Sequence, residues 1–125
     1  TMTKITDITQ HKKLIDVPLP PRWAVFKING PLFFAAADRV FGDIAASMKS
    51  LDGAILYMDG VTLLDAGGVA AMNKLVDFCA KGNKQLSIAD VQFQPLRTLA
   101  RADVKPVQGV TTFYATLHEA IHQFD

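Results

Sequence analysis

Apolar and polar positions follow two periods along this chain, and the places where the period changes mark its elements. Ala54-Ile55-Leu56-Tyr57-Met58 is an unbroken apolar run of strand length, as a central strand covered on both faces requires. Asp59-Gly60 ends it. Beyond a short polar loop, Val69, Met72, Val76 and Cys79 recur at helical spacing with Leu75 beside them, whereas Asn73, Lys74, Asp77 and Lys81 fall on the other side. One face of this helix is therefore expected to pack on the sheet. Asp65 stands where an N-cap belongs, and Ala66-Gly67-Gly68 lets the backbone turn tightly and approach a neighbour. The N-terminus of the helix is expected to lie open.

The same reading orders the rest of the chain. Residues 1–16 are polar, carry Lys4, His11, Lys12 and Lys13, and read as a linker. Pro18-Leu19-Pro20-Pro21 punctuates the start of a domain spanning 17–125. Trp23 to Ile28 predicts a strand, Asn29-Gly30 a hairpin turn, and Leu32-Phe33-Phe34 a short return strand. From Ala35-Ala36-Ala37 a helix follows, with Val40, Phe41, Ile44, Met48 and Leu51 inward, and Asp38, Arg39 and Asp43 outward, ending near Asp52-Gly53.

After the second helix, Gly82-Asn83 supplies a C-cap and Gln85 to Asp90 another strand. A helix from Pro95 to Arg101 and a short strand around Val107 or Thr111 come next. Thr116-Leu117-His118-Glu119 is a capping box opening a last helix, with Leu117, Ala120, Ile121 and Phe124 as its buried stripe. Strands alternating with helices predict an α/β fold, a four- to six-stranded mixed β-sheet packed against about four α-helices.

Composition narrows the function classes. At 125 residues and 50% hydrophobic content the chain is one domain with enough apolar material for a core. Its net charge of +1, without any basic block, argues against nucleic acid as a partner. The single cysteine, Cys79, excludes an internal disulfide and suits a reducing cytosol. No apolar stretch approaches bilayer length, so the sequence as it stands reads as soluble. It opens on Thr1 rather than methionine, so a piece of a longer protein is expected.

Three motifs in order carry a resemblance. Asp59-Gly60-Val61-Thr62-Leu63-Leu64-Asp65-Ala66-Gly67-Gly68 resembles the signature loop of STAS domains, the module shared by sulfate transporters and anti-sigma factor antagonists. Asn29 to Ala37 and Val91 to Thr98 resemble the transporter branch, the sulfate permease (SulP) family of anion transporters. The resemblance implies a STAS-like fold and a regulatory, protein-interaction module on the cytoplasmic face of the inner (plasma) membrane. The partners it implies are the membrane domain of the parent transporter and a cytoplasmic regulatory protein. The transported anion, of the sulfate, bicarbonate or dicarboxylate class, is not specified by these residues. The alternative is a free-standing anti-sigma factor antagonist that switches partners on serine phosphorylation; in that branch a serine follows the aspartate matching Asp65, where this chain has Ala66.

On this basis Asp59, Thr62, Asp65, Ala66, Gly67 and Gly68 form the expected docking loop for a partner or a weakly bound anion or nucleotide. Asp65 competes for the same helix donors, which weakens the anion reading. Arg97 and Arg101, one helical turn apart and with Lys105 beyond, form a candidate basic surface. His118-Glu119-Ala120-Ile121-His122 matches the H-E-x-x-H zinc pattern, but only three residues follow and a solvated helix face explains it better. Asp59, Asp65 and Asp90 are expected at the carboxyl ends of neighbouring strands in turn and cap roles. No nucleophile elbow, phosphate-binding loop or dinucleotide fingerprint occurs, and neither enzyme activity, metal nor cofactor is expected.

Overall fold

The computed structural model describes residues 2–5 and 17–125. A five-stranded sheet carries its strands in chain order: β1 (Met2–Ile5), β2 (Trp23–Asn29), β3 (Gly53–Gly60), β4 (Gln85–Ala89) and β5 (Thr111–Tyr114). β1 pairs antiparallel to β2, and the remaining pairings are parallel. Each parallel step contains a helix: α1 (Phe34–Met48), α2 (Ala66–Lys81) and α3 (Phe93–Arg101). Because such crossovers share one hand and the strand order never reverses, all three helices fall on the same side. α4 (Leu117–Ile121) follows β5 and covers the other side, ending in a 3-10 turn, His122–Phe124.

Side-chain alternation along β3 builds both layers of the core. Ala54, Leu56 and Met58 join a cluster with Phe41 and Ile44 of α1, Met72 and Leu75 of α2, and Leu99 of α3. Ile55 points the opposite way, into a smaller cluster with Val25, Ala89, Leu117, Ala120 and Ile121. The apolar run is therefore a strand buried on both faces, as its composition predicts. The expected faces of α1 and α2 also hold: Val40, Phe41, Ile44 and Met48 are buried, as are Val69, Met72, Leu75 and Cys79.

Four expectations are corrected. Met2–Ile5, placed in the linker, pair with Val25 to Ile28 as an edge strand. A four-residue edge strand leaves little periodic signal, and the rest of the presumed linker, 6–16, lies outside the described residues. The Asn29-Gly30 hairpin is absent. Gly30 takes φ of +91° as the dipeptide foretells, but its N–H donates to the Gly60 carbonyl at 2.8 Å and the Leu32 N–H to the Leu63 carbonyl at 2.8 Å. The chain continues beside the loop after β3 because β3 already occupies that edge of β2 in parallel. Helix α3 starts at Phe93, placing Pro95 within its first turn. Phe124 leaves the buried stripe, since tightening into the 3-10 turn breaks the 3.6 period; it lies 39% exposed, edge-on to Trp23 at 4.7 Å.

Among the described residues no helix is long and apolar enough to cross a membrane.

Candidate functional site

The expected docking loop is held at the carboxyl end of β3 by three neighbours. Asp65 caps α2, its Oδ1 accepting from the Gly68 N–H at 2.7 Å. On one side Leu32 forms a parallel bridge to Leu64. On the other, the Gln94 amide clasps the Leu64 main chain, accepting from its N–H at 2.9 Å and donating to its carbonyl at 3.3 Å. A second amide, Gln92, donates to the Asp59 carbonyl. The loop is thus tied to the segment before α1 and to α3 as well as to its own helix.

Gly67 and Gly68 are required by close approach. A Cβ on Gly67 would lie 2.7 Å from the Cβ of Phe34, and one on Gly68 would lie 2.6 Å from the Leu32 carbonyl oxygen. Both are shorter than any ordinary contact, so these positions exclude a side chain unless residues 32–34 move. This corrects the open helix N-terminus: Leu32 and Phe34 cover it, Gly68 is buried, and its donor is taken by Asp65. Ala66, Thr62 and Asp59 remain exposed, and Asp65 is half-buried.

In the loop and the segments that meet it, four large apolar side chains stay exposed, and no periodicity marks them as a rim. Phe33 is 49% exposed, Phe34 65%, Leu63 42% and Phe93 76%. Leu32-Phe33-Phe34 reads as a strand because the run is apolar, yet only Leu32 turns inward. Gln94 was equally hidden: an amide in a motif gives no sign that its partner lies 30 residues earlier. Arg97 sits over the Phe93 ring at 5.9 Å, and Arg101 ends α3, exposed. Lys105 does not extend that basic face freely, since it pairs with Asp103 at 3.5 Å.

Of the three aspartates, Asp65 and Asp90 bond to helix N-termini, whereas Asp59 lies within β3 beside Tyr57. Asp90, at φ of +58°, accepts the Leu117 N–H, the first of α4, on Oδ2 at 2.6 Å. Asp59 and Asp90 flank Tyr57, whose phenol is pushed above its usual range first by burial, then by these two charges and by its hydrogen bond to Asp59. Burial likewise pushes the Cys79 thiol up to about 11, with Lys84 opposing, and its Sγ lies 3.9 Å from Met48 Sδ. An inward, neutral thiol is a core side chain. The His118 and His122 rings lie 4.2 Å apart, and His122 Nδ1 meets Asp125 Oδ2 at 2.7 Å. Among the described residues no group of three or more His, Cys, Asp and Glu side chains gathers as a metal site. The arrangement at the loop is a shaped surface of small and apolar groups, suited to contact.

Comparison with known proteins agrees with this architecture. The chain superposes on murine Solute Carrier 26 family member A9, an anion transporter in the inward-facing state, with TM-score 0.74 and 17% identity, covering 97% of this chain and 21% of that one. It matches a sulfate transporter family protein from Wolinella succinogenes with TM-score 0.60 and 26% identity over 84% of this chain and 75% of that one. The anti-sigma factor antagonist SpoIIAA in its unphosphorylated form gives TM-score 0.62 and 15% identity, covering 85% and 92% respectively. Among curated proteins, none matches. The family described as STAS domain matches residues 15–120, most of the chain, and this chain therefore belongs to the STAS-domain family.

Proposed function

We propose that this domain is the non-catalytic regulatory module of a SulP-type anion transporter, acting by docking and not by chemistry. The observation that carries the reading is Ala66, exposed at the first position of α2 where a partner-switching relative would carry its acceptor serine. Without a hydroxyl there, the loop acts as a fixed surface. Its rigidity follows from the Asp65 cap, the Gln94 clasp and the packing of Phe34 against Gly67. The rim of Phe33, Phe34, Leu63 and Phe93 extends that surface with exposed apolar area, which monomeric domains usually keep for contacts. The partner is the membrane domain of the parent protein or a cytoplasmic regulator, and the site of action is the cytoplasmic face of the membrane. The 26% identity to a sulfate transporter family protein supports this branch.

A second reading, a partner-switching antagonist, is favoured by one feature, the exposed Thr62 hydroxyl in the same loop. The two are separated by Ala66→Glu in the intact parent. A carboxylate at a helix N-terminus suits the helix dipole, so the melting temperature should hold while anion uptake falls about tenfold, the equivalent of about 1.4 kcal/mol of docking free energy. Unchanged uptake and partner binding would remove the loop from the functional surface. Stoichiometric phosphate on Thr62 after incubation with a cognate kinase would favour the switching reading instead.

A further inference from the structure

Away from the signature loop, the sheet ends in β5, which pairs only with β4 among the described residues. The Val110 carbonyl accepts from Leu86 N–H at 2.7 Å and the Tyr114 carbonyl from Asp90 N–H at 3.4 Å, so residues 110, 112 and 114 turn toward β4. In a parallel ladder the intervening residues direct their main-chain groups the other way. The Thr111 N–H is used by the Val107 carbonyl at 2.9 Å. That leaves the Thr111 carbonyl and both main-chain groups of Phe113 facing out from the edge.

The two faces beside this edge differ in chemistry. On the α3 side, Leu96, Leu99, Ala100, Val104 and Phe113 line an apolar hollow of about 240 Å³. It continues past Leu96 and Phe113 into a second hollow of about 180 Å³ beside Tyr114. On the α4 side, Gln85, Ser87, Thr112 and Gln123 line a hollow of about 130 Å³, with Gln123 Nε2 donating to Ser87 Oγ at 2.9 Å. An apolar trough on one face and an amide-and-hydroxyl surface on the other is what an extended segment with alternating side chains would meet.

Charge selects the occupant. Arg97 and Arg101 are exposed on α3, next in sequence to Leu96 and Ala100, and neither forms an ion pair among the described residues. The nearby Asp103 is engaged by Lys105. A second copy pairing edge to edge would bring Thr111–Tyr114, which contains no carboxylate. We propose that the β5 edge is a strand-addition site for an extended acidic segment of a partner protein, its alternate apolar side chains filling the trough between α3 and β5. Main-chain bonds to Phe113 and Thr111 would supply the pairing and the trough its selectivity, with the two arginines favouring acidic over basic sequences. The β5 edge itself is separate from the Ala66 loop and independent of the transporter reading, while Arg97 also sits over Phe93 of the rim beside that loop.

The test uses the full chain and three labelled synthetic octapeptides: Glu-Val-Thr-Val-Thr-Val-Thr-Glu, its counterpart with both glutamates replaced by lysine, and a scrambled acidic peptide without alternation. The alternating acidic peptide should bind saturably, with the lysine and scrambled peptides about tenfold weaker or worse. Arg97→Glu with Arg101→Glu, both at exposed positions, should lower its affinity about tenfold with an unchanged melt. Amide exchange at Phe113 should slow about tenfold at saturation, a signature that binding to the Ala66 loop would not produce. No saturable binding up to about 1 mM, equal binding of the lysine peptide, or an unprotected Phe113 amide would each overturn the proposal. So would protection of Phe113 in a peptide-free dimer, which would assign the edge to a second copy.

Discussion

On one side of the sheet, α1, α2 and Leu99 of α3 meet Leu56, Phe26 and Ile88 in a continuous core. On the other, a five-residue helix and Val17 and Leu19 meet Ile55, Val25 and Ala89. The difference is topological. Parallel strands in sequential order need crossovers of one hand, which deliver every connecting helix to one face and leave the other to whatever precedes and follows. The face built by connections is thick because connection is compulsory. The face built by ends is thin, and its helix is fastened by particular bonds, the Asp90 carboxylate accepting from its first N–H and the Thr116 hydroxyl accepting from Glu119 N–H at 3.1 Å.

The largest test of that contrast places a carboxylate on each face of β3. Leu56→Asp and Ile55→Asp should both unfold the domain by circular dichroism, because both positions are 0% exposed and an unpaired buried carboxylate costs several kcal/mol against a total stability of about 5–15 kcal/mol. A native melt for Ile55→Asp alone would show that the thin face is only a cover.

Removing caps sharpens the comparison. Asp90→Ala should cost about 2 kcal/mol, since it loses the bond to the first N–H of α4 and puts alanine at φ of +58°. Asp65→Ala, whose backbone is extended at φ of −103°, should cost about 1 kcal/mol. Urea denaturation measures both, and the reverse order would mean that the thin face depends little on its helix.

The last effect lies outside the neutral range and is alkaline. Cys79 on the thick face has a folded pKa of about 11 above its ordinary 9.0. The raised value favours the native state fully below pH 9, and this contribution is lost as pH climbs from 9 toward 11. Tyr57 on the thin face, also raised from 10.0, loses its contribution later. Cys79→Ala should flatten the first part of the alkaline decline, leave the Tyr57 part, and change nothing in pH dependence near neutrality.

Local sequence specifies whatever depends on near neighbours in the chain: the buried run of β3, the apolar faces of α1 and α2, the Asp65 and Thr116 caps, and the Gly67-Gly68 requirement for close approach. Periodicity, cap chemistry and the absence of a Cβ act within a turn or two, so residue order records them. The signature loop was legible too, through its resemblance and its small residues. Only tertiary structure decided what approaches those glycines, because Phe34 reaches Gly67 through a parallel pairing that Asn29-Gly30 disguises as a hairpin. It also decided that Phe33, Leu63 and Phe93 stay exposed, that Gln94 holds Leu64, and that β5 ends the sheet among the described residues. Strand order sets these, and it is fixed by the sum of long-range burial, which no local stretch of sequence contains.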